Sequence, residues 1–320
     1  MQAIVFENYG SPDVLQLKEI AKPTPQENEV LIKVQAAGTN PLDWHKMRAD
    51  PFFVRFTDGL LKPKNNRLGA DVAGVVEAVG SGVTSFKPGD AVFGESGGGS
   101  FAEYVCAPES VLAHKPENVS FAEAAAVPVA ALTALQALRD SGKIQPGQTV
   151  LINGASGGVG TFMVQLAKFY EGMVTAVSST RNLELVQSLG ADHVLDYTRE
   201  KVVGNQKYDL VLDNVGNLAA AQFRQLLKPQ GIGVMVGFTS IGRMLGNVLA
   251  GQWWARRGGP SLSSMLARAN KEDMQLFHDL LAEGVLKPVI DRSYSLAETA
   301  VAIHHLETGR ARGKIVITVP

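Results

Sequence analysis

Cysteine, long apolar runs and net charge are all scarce in this chain. Cys106 is the single cysteine among 320 residues, which excludes an internal disulfide and any multi-cysteine zinc cluster. No apolar run approaches the ~18–20 residues that a membrane-spanning helix needs, so no integral membrane segment is expected. Thirty Lys and Arg stand against 31 Asp and Glu, a net charge of −1 with no polybasic run. No overall field therefore favours nucleic acid or an anionic membrane as partner. The segment Met1–Gly10 reads directly as a strand and lacks the basic, apolar, small-residue order of a signal peptide, so cytoplasmic residence is the expectation.

Glycine, in contrast, is plentiful: 33 residues, somewhat above the usual share of roughly 7%. The most informative cluster is Val150-Leu-Ile-Asn-Gly-Ala-Ser-Gly-Gly-Val-Gly160, followed by Thr161–Lys168. It reads as strand, glycine loop, helix. The run Val150–Ile152 suits a buried parallel strand. Gly154, Gly157, Gly158 and Gly160 let the chain turn tightly and bring backbone N–H groups near a ligand. A helix opening on such a loop offers unpaired N–H groups and a positive dipole end, an anion site that commonly takes a pyrophosphate. The spacing is Gly154-x-x-Gly157-x-x-Gly160, not the G-x-G-x-x-G of the usual dinucleotide fingerprint, so a structural glycine turn is the alternative.

Residues 1–120 read as β-rich: Ala3–Phe6, Val14–Ile20, Glu29–Ala37, Val72–Val79, Ala91–Phe93 and Phe101–Ala107 are apolar segments between glycine and proline turns, as in a barrel or sandwich. Thr39–Arg48 opens a short helix after Pro41. Ser120 and Glu123 form a capping-box pattern ahead of an Ala-rich helix through Ala124–Arg139. Strand and helix then alternate to Val236, which implies an α/β, doubly wound, mostly parallel sheet with right-handed crossovers. The tail carries helices at Asp273–Glu283 and Leu296–Leu306 and a final strand at Lys314–Val319.

The second strand of the alternating block ends in Ser178-Ser-Thr-Arg181, with no acid before Glu184. A NAD site usually places a carboxylate there for the ribose 2′-OH. Serine hydroxyls and an arginine fork suit a 2′-phosphate instead, so NADPH is the expected cofactor. The alternative makes Arg181 a solvated residue at a helix start.

Several segments together resemble one family: Gly38-Thr-Asn-Pro-Leu-Asp43, Leu68–Val76, Lys87–Phe93, Ala125–Leu135, Asn153–Gly160 and Arg310–Val316. The chain resembles the zinc-independent quinone oxidoreductase and enone (alkenal) reductase branch of the medium-chain dehydrogenase/reductase superfamily, along essentially its whole length. The resemblance implies a GroES-like β-rich domain interrupted by a Rossmann domain. The corresponding division is 1–121 for a substrate domain, 122–266 for NADPH binding and 267–320 for a return to the substrate domain. Zinc-dependent relatives carry a Cys in the segment matching Gly38–Asp43 and Gly-His-Glu at Gly69-Ala-Asp71. This chain has Asn40, Ala70 and Asp71, so no metal is expected.

The resemblance also implies roles. Asn40 faces the nicotinamide. Thr133 lies near the nicotinamide and its ribose, or else back-bonds within its helix. Ser156 to Val159 meet the pyrophosphate. Ser179, Arg181 and Tyr197 surround the 2′-phosphate, with core packing as the alternative for Tyr197. Asn214, Gly237 and Phe238 lie at strand ends that hold the carboxamide. Arg310 and Lys314 close on the cofactor, or are surface charges. His45 and Lys46 are candidate proton or hydrogen-bond donors; some enone reductases that the chain resembles carry a Lys where His45 stands, and a structural or surface role is its alternative.

The function these readings support is metal-independent hydride transfer from NADPH to quinones or to the C=C of α,β-unsaturated carbonyls, driven by orientation and oxyanion stabilisation. A catalytically silent NADPH-binding protein that senses redox state is the alternative from another class, and zinc-type alcohol chemistry the alternative enzyme. A homodimer through the sheet edge near Ser261–Leu266 is a family expectation. Ile241–Gly259, with Trp253-Trp254 and Arg256-Arg257, reads as a substrate lid, an oligomer contact or a membrane-surface helix, the pocket or dimer edge being favoured because two aromatics beside two arginines anchor weakly.

Overall fold

The computed structural model describes every residue except Phe53, Asn205 and Phe238, and leaves aside the side chain of Thr57. The first stretch contains β1 (Gln2–Val5), β2 (Gln16–Glu19), β3 (Glu29–Gly38), α1 (Pro41–Arg48), α2 (Val54–Asp58), β4 (Asp71–Val79), β5 (Ala91–Glu95), β6 (Tyr104–Pro108), β7 (Leu112–His114), α3 (Phe121–Ala125) and α4 (Pro128–Gln136). There follow β8 (Thr149–Asn153), α5 (Gly158–Phe169), β9 (Met173–Ser178), α6 (Leu183–Ser188), β10 (His193–Asp196), β11 (Tyr208–Asp213), α7 (Ala220–Leu226), β12 (Leu227–Met235), α8 (Ile241–Ala255) and β13 (Ser261–Ser264). The tail adds α9 (Lys271–Ala282), β14 (Ile290–Ser295), α10 (Thr299–Glu307) and β15 (Lys314–Thr318).

Two compact units result: Met1–Ala130 with Ala269–Pro320, and Ala131–Arg268. In the first, one sheet runs β14-β15-β3-β4-β5-β7, with β6 also paired to β3. The C-terminal β15 lies antiparallel on β3, Ile317 opposite Ala37 and Val316 opposite Gly38. Residues from both ends of the chain share its core, among them Phe6, Ile32, Met47, Phe101, Ile315 and Ile317. Gly313 makes the entry to β15 possible: its φ is +90°, and a Cβ there would lie 2.2 Å from the Val289 carbonyl oxygen.

In the second unit six parallel strands run β10-β9-β8-β11-β12-β13. Counted along the unit this is the order 3-2-1-4-5-6 of a dinucleotide-type sheet, and ligands of such sheets bind beyond the carboxyl ends where the order reverses. Here that point lies between β8 and β11, where Asn153 pairs with Asp213.

The expected Ala-rich helix over Ala124–Arg139 is broken. It ends after α3 and restarts at Pro128 as the first residue of α4, since proline lacks an N–H and disfavours helix at Val127. Ile241–Gly259 is mostly helix, α8 occupying Ile241–Ala255. The strand β14 (Ile-Asp-Arg-Ser-Tyr-Ser) escaped prediction because it is a polar edge strand that buries only Tyr294.

Candidate functional site

The glycine loop sits at the switch point of the parallel sheet, and its glycines divide the labour. Gly154 has φ +79° and turns the chain; a Cβ there would press on Val215 at 2.8 Å. Gly157 is the N-cap of α5 and meets only the Gly154 carbonyl oxygen, at 3.5 Å from a Cβ, so a ligand can approach the backbone. Gly160 lets the helix close on the strand exit: its Cβ would lie 2.2 Å from that same oxygen. Turn, approach and close packing are the three jobs of a dinucleotide loop, distributed at a different spacing. No side chain caps α5. Gly158 and Val159 open it, so its first N–H groups and dipole can serve an anion.

The adjoining loop after β11 carries the strongest sign of a missing partner. Both polar atoms of the Asn214 side chain are buried with no hydrogen-bond partner among the described residues. Such a group costs about 1–3 kcal/mol when left unmade. Its backbone is firmly held. Asp213 is fully buried and accepts from Asn153 Nδ2 (2.8 Å), Gly216 N (2.9 Å) and Leu218 N (2.9 Å). Gly237 closes in on the same loop, where a Cβ would lie 2.1 Å from the Asn214 carbonyl oxygen. Phe238, its neighbour in the sequence reading, lies outside the described residues.

Ser156 is not free to act alone. Its hydroxyl accepts from Ser178 Oγ at 2.9 Å and Asn182 Nδ2 at 3.0 Å. Asn182 was missed, since it belongs to no glycine or basic motif, and Ser178 was read only as part of the Ser178–Arg181 turn, not as a partner of Ser156. Ser179 is half-buried, Arg181 exposed and Tyr197 58% exposed, so Tyr197 is not a core residue. Asp196, opposite Ser178 across β9 and β10, accepts from Thr180 and Thr198 and lies 3.5 Å from Arg199. Thr133 is partly exposed on α4, and Arg310 is exposed in the turn before β15.

In the first unit Asn40 begins α1. An Asn there ordinarily caps the helix with its side chain. Here the capping falls to Asp43, whose carboxylate accepts from Asn40 N and Gly69 N, each at 2.8 Å. The Asn40 side chain is recruited elsewhere: Nδ2 donates to Asp71 at 2.9 Å and Oδ1 accepts from Lys314 Nζ at 2.6 Å. Lys314 is 3% exposed and also donates to Thr39 O (2.8 Å) and Asp71 (3.0 Å). All three ammonium donors are thereby used. This corrects both readings of Lys314: it is no surface charge, and it has no donor left for a cofactor.

Burial pushes the Asp43 carboxyl up to about 7 and does the same to Glu95, with the Asp71 charge adding to both. Burial lowers the Lys46 ammonium, which donates to Arg67 O at 3.2 Å. His45 Nδ1 lies 2.5 Å from Asp50 O, so that nitrogen carries the proton, and its ring stacks on Trp44. A zinc ion does not fit this cluster. Ala70 has no donor, Asn40 and Asp71 direct oxygens at the Lys314 ammonium, and that cation would repel another.

Residues 26–117 match the alcohol dehydrogenase GroES-like domain, and residues 189–317 match a family described as zinc-binding dehydrogenase. A 2-methylene-furan-3-one reductase of Solanum lycopersicum is 39% identical, over 99% of this chain and 79% of that protein. An NADPH-dependent alkenal/one oxidoreductase of Arabidopsis thaliana is 36% identical over the same shares. The solved quinone oxidoreductase of Coxiella burnetii is 33% identical with a TM-score of 0.89, covering 100% of this chain and 99% of that one. Whole-chain identity at this level, on a GroES-like unit and a 3-2-1-4-5-6 parallel sheet, shows that the chain is an oxidoreductase of the medium-chain dehydrogenase/reductase superfamily and belongs to its quinone oxidoreductase and alkenal reductase branch.

Proposed function

We propose that this protein is an NADPH-dependent, metal-independent reductase of quinones or of C=C bonds conjugated to a carbonyl. The observation that carries the reading is the orphaned Asn214 carboxamide beside the glycine loop. A cofactor with a phosphate at one end and a carboxamide at the other answers both the uncapped helix and the unpaired amide.

The residues fit that group. Backbone N–H groups of Gly158, Val159 and Gly160, with the Ser156 hydroxyl held by Ser178 and Asn182, bind the pyrophosphate, while the Gly157 N–H closes the loop on the Gly154 carbonyl oxygen. Ser179, Arg181 and Tyr197 take the 2′-phosphate. Asp196 opposes that charge, but it is drawn into its own turn by Thr180, Thr198 and Arg199. Asn214 and Gly237 orient the nicotinamide end. When bound, NADPH supplies the hydride. Asn40 keeps one N–H beyond its bond to Asp71 and donates it to the oxygen on which negative charge grows. Lys314 is a positioning residue: by accepting its ammonium, Asn40 Oδ1 fixes which way the amide points. Lys46 and His45, both engaged with backbone carbonyls, are the side chains placed to test as proton donors for enones.

The deciding experiment follows NADPH oxidation against a panel of quinones, short alkenals and cyclic enones, with wild type and Arg181→Asp. Turnover with at least one acceptor is expected. Losing a charge-assisted contact of about 1.5–3 kcal/mol should lower the NADPH/NADH preference of the variant about 10- to 100-fold. Tight NADPH binding with no acceptor turned over would replace this reading by the silent redox-sensing one. An unchanged cofactor ratio would remove Arg181 from the 2′-phosphate site. Turnover of enones unchanged in both His45→Ala and Lys46→Ala would make solvent the proton donor.

A further inference from the structure

Helix α8 buries one face and leaves the other uncovered by the described residues of its own unit. Asn247, Gly251 and Trp254 are buried. Asn247 Nδ2 donates to Leu218 O at 2.9 Å, Gly251 lies against Leu262, and Trp254 joins the core of the parallel-sheet unit. The outward row is Leu245, Leu249 and Trp253, exposed by 54%, 66% and 52%. Their spacing of four aligns them along one side of the fifteen-residue helix. Because the inner face is locked, the apolar row is a fixed feature of the surface and not a frayed end.

Charge indicates what covers it. From Asn214 to Lys271 the chain contains no Asp or Glu and seven basic residues: Arg224, Lys228, Arg243, Arg256, Arg257, Arg268 and Lys271. The whole-chain charge of −1 conceals this asymmetry. Lys228 is offset by Asp209 at 2.7 Å. Arg256 and Arg257 follow the last turn of α8, and the Arg257 guanidinium lies 3.9 Å over the Trp253 ring. Arg243 is exposed near the other end, where it donates to Asn217 O. Two copies meeting through this row by two-fold symmetry would bring like charges together: Arg256 and Arg257 would face either themselves or the partner's Arg243. An anionic lipid surface offers an apolar boundary for the leucines and tryptophan and phosphates for the arginines.

We propose that α8 docks the protein on an anionic phospholipid surface, with Leu245, Leu249 and Trp253 at the headgroup–acyl boundary and Arg256 and Arg257 on lipid phosphates. The attachment is peripheral and reversible, as a single short amphipathic helix allows. It is independent of which acceptor the enzyme reduces.

The test is co-sedimentation of the full chain with vesicles of phosphatidylcholine alone or mixed with phosphatidylglycerol, together with its oligomeric state in solution. Binding is expected only with the mixed vesicles, and should vanish at about 1 M salt, where the screening length falls to roughly 3 Å. Arg256→Gln should weaken partitioning about fivefold, and the double change with Arg257→Gln about 25-fold. Leu249→Glu should abolish it with an unchanged thermal midpoint. Should that variant unfold, Leu249→Gln, a milder change at an exposed position, serves in its place with a several-fold loss expected. Absence of binding to mixed vesicles at low salt overturns the proposal, as does binding indifferent to Leu249. A wild-type oligomer that Leu249→Glu splits into monomers also overturns it, assigning the row to a second copy of the chain.

Discussion

Lys314 Nζ lies 3.0 Å from Asp71 Oδ2, 243 residues away in sequence, and neither side chain has more than 3% of its surface exposed. The pair joins the first residue of the last strand, β15, to the start of β4. It also orients Asn40, which bonds to both partners. Removing one partner strands a buried charge. Lys314→Met should cost about 3–5 kcal/mol, and adding Asp71→Asn should recover much of that loss. Urea denaturation of the two single variants and the double variant checks this. Additive losses would mean that the pair is not coupled.

The glycine loop predicts opposite outcomes for two like substitutions. Gly157→Ala has room, φ being −81° and a single atom lying at 3.5 Å from the new Cβ, so stability should hold within about 0.5 kcal/mol. The methyl group should nonetheless weaken NADPH binding about tenfold by standing off the pyrophosphate. Gly160→Ala must displace backbone at 2.2 Å and should lower the melting temperature outright. Thermal melts with and without NADPH separate the two cases.

Asn214 is expected to trade stability for binding. In the free protein Asn214→Ala removes two buried atoms that have no partner among the described residues, so the melting temperature should rise or stay level. NADPH affinity should fall by about 1–2 kcal/mol, or roughly 5- to 30-fold, as one neutral hydrogen-bonding group is lost. A variant that is less stable and binds NADPH normally would give Asn214 a purely structural role.

Glu95 makes stability depend on pH. Its folded-state value of about 7 lies above the ordinary 4.5, through burial first and the Asp71 charge second. The folded protein therefore holds a proton that the unfolded chain releases. This contribution is complete below pH ~4.5 and declines as pH rises towards 7. Glu95→Gln should flatten that part of the stability curve by about 1 kcal/mol, a figure discounted for partial solvent access. Melts at pH 5 and pH 7.5 measure it, and parallel curves for wild type and variant would refute it. Asp43, also raised to about 7 by burial, adds a slope of the same sign that the variant retains.

Local periodicity and turn chemistry made most elements legible in the sequence. The expected alternation of strand and helix up to Val236 is observed, with β10 at His193–Asp196 and β11 at Tyr208–Asp213, and Ser120 with Glu123 caps α3 through a 2.9 Å bond to Ser120 N. The polar edge strand β14 was not legible, and helix α8 was legible only as one of three readings of its segment. The first has no apolar alternation, and the second exposes apolar residues that a pattern search assigns to a pocket or interface.

By itself the sequence determined the parallel-sheet unit, the strand, glycine loop and helix order of Val150–Lys168, and the residues Asn40, Ala70 and Asp71 where zinc-dependent relatives carry ligands. These follow from short-range spacing and from residue chemistry that no fold can alter. Tertiary structure alone decided the meaning of Lys314. A lysine beside arginines in the tail reads as a cofactor contact or a surface charge, and the pairing of β15 with β3 carries it into the interior, 3.0 Å from Asp71. It likewise decided that the Asn214 side chain lacks a partner among the described residues, because hydrogen-bond satisfaction is a property of neighbours that sequence spacing does not specify.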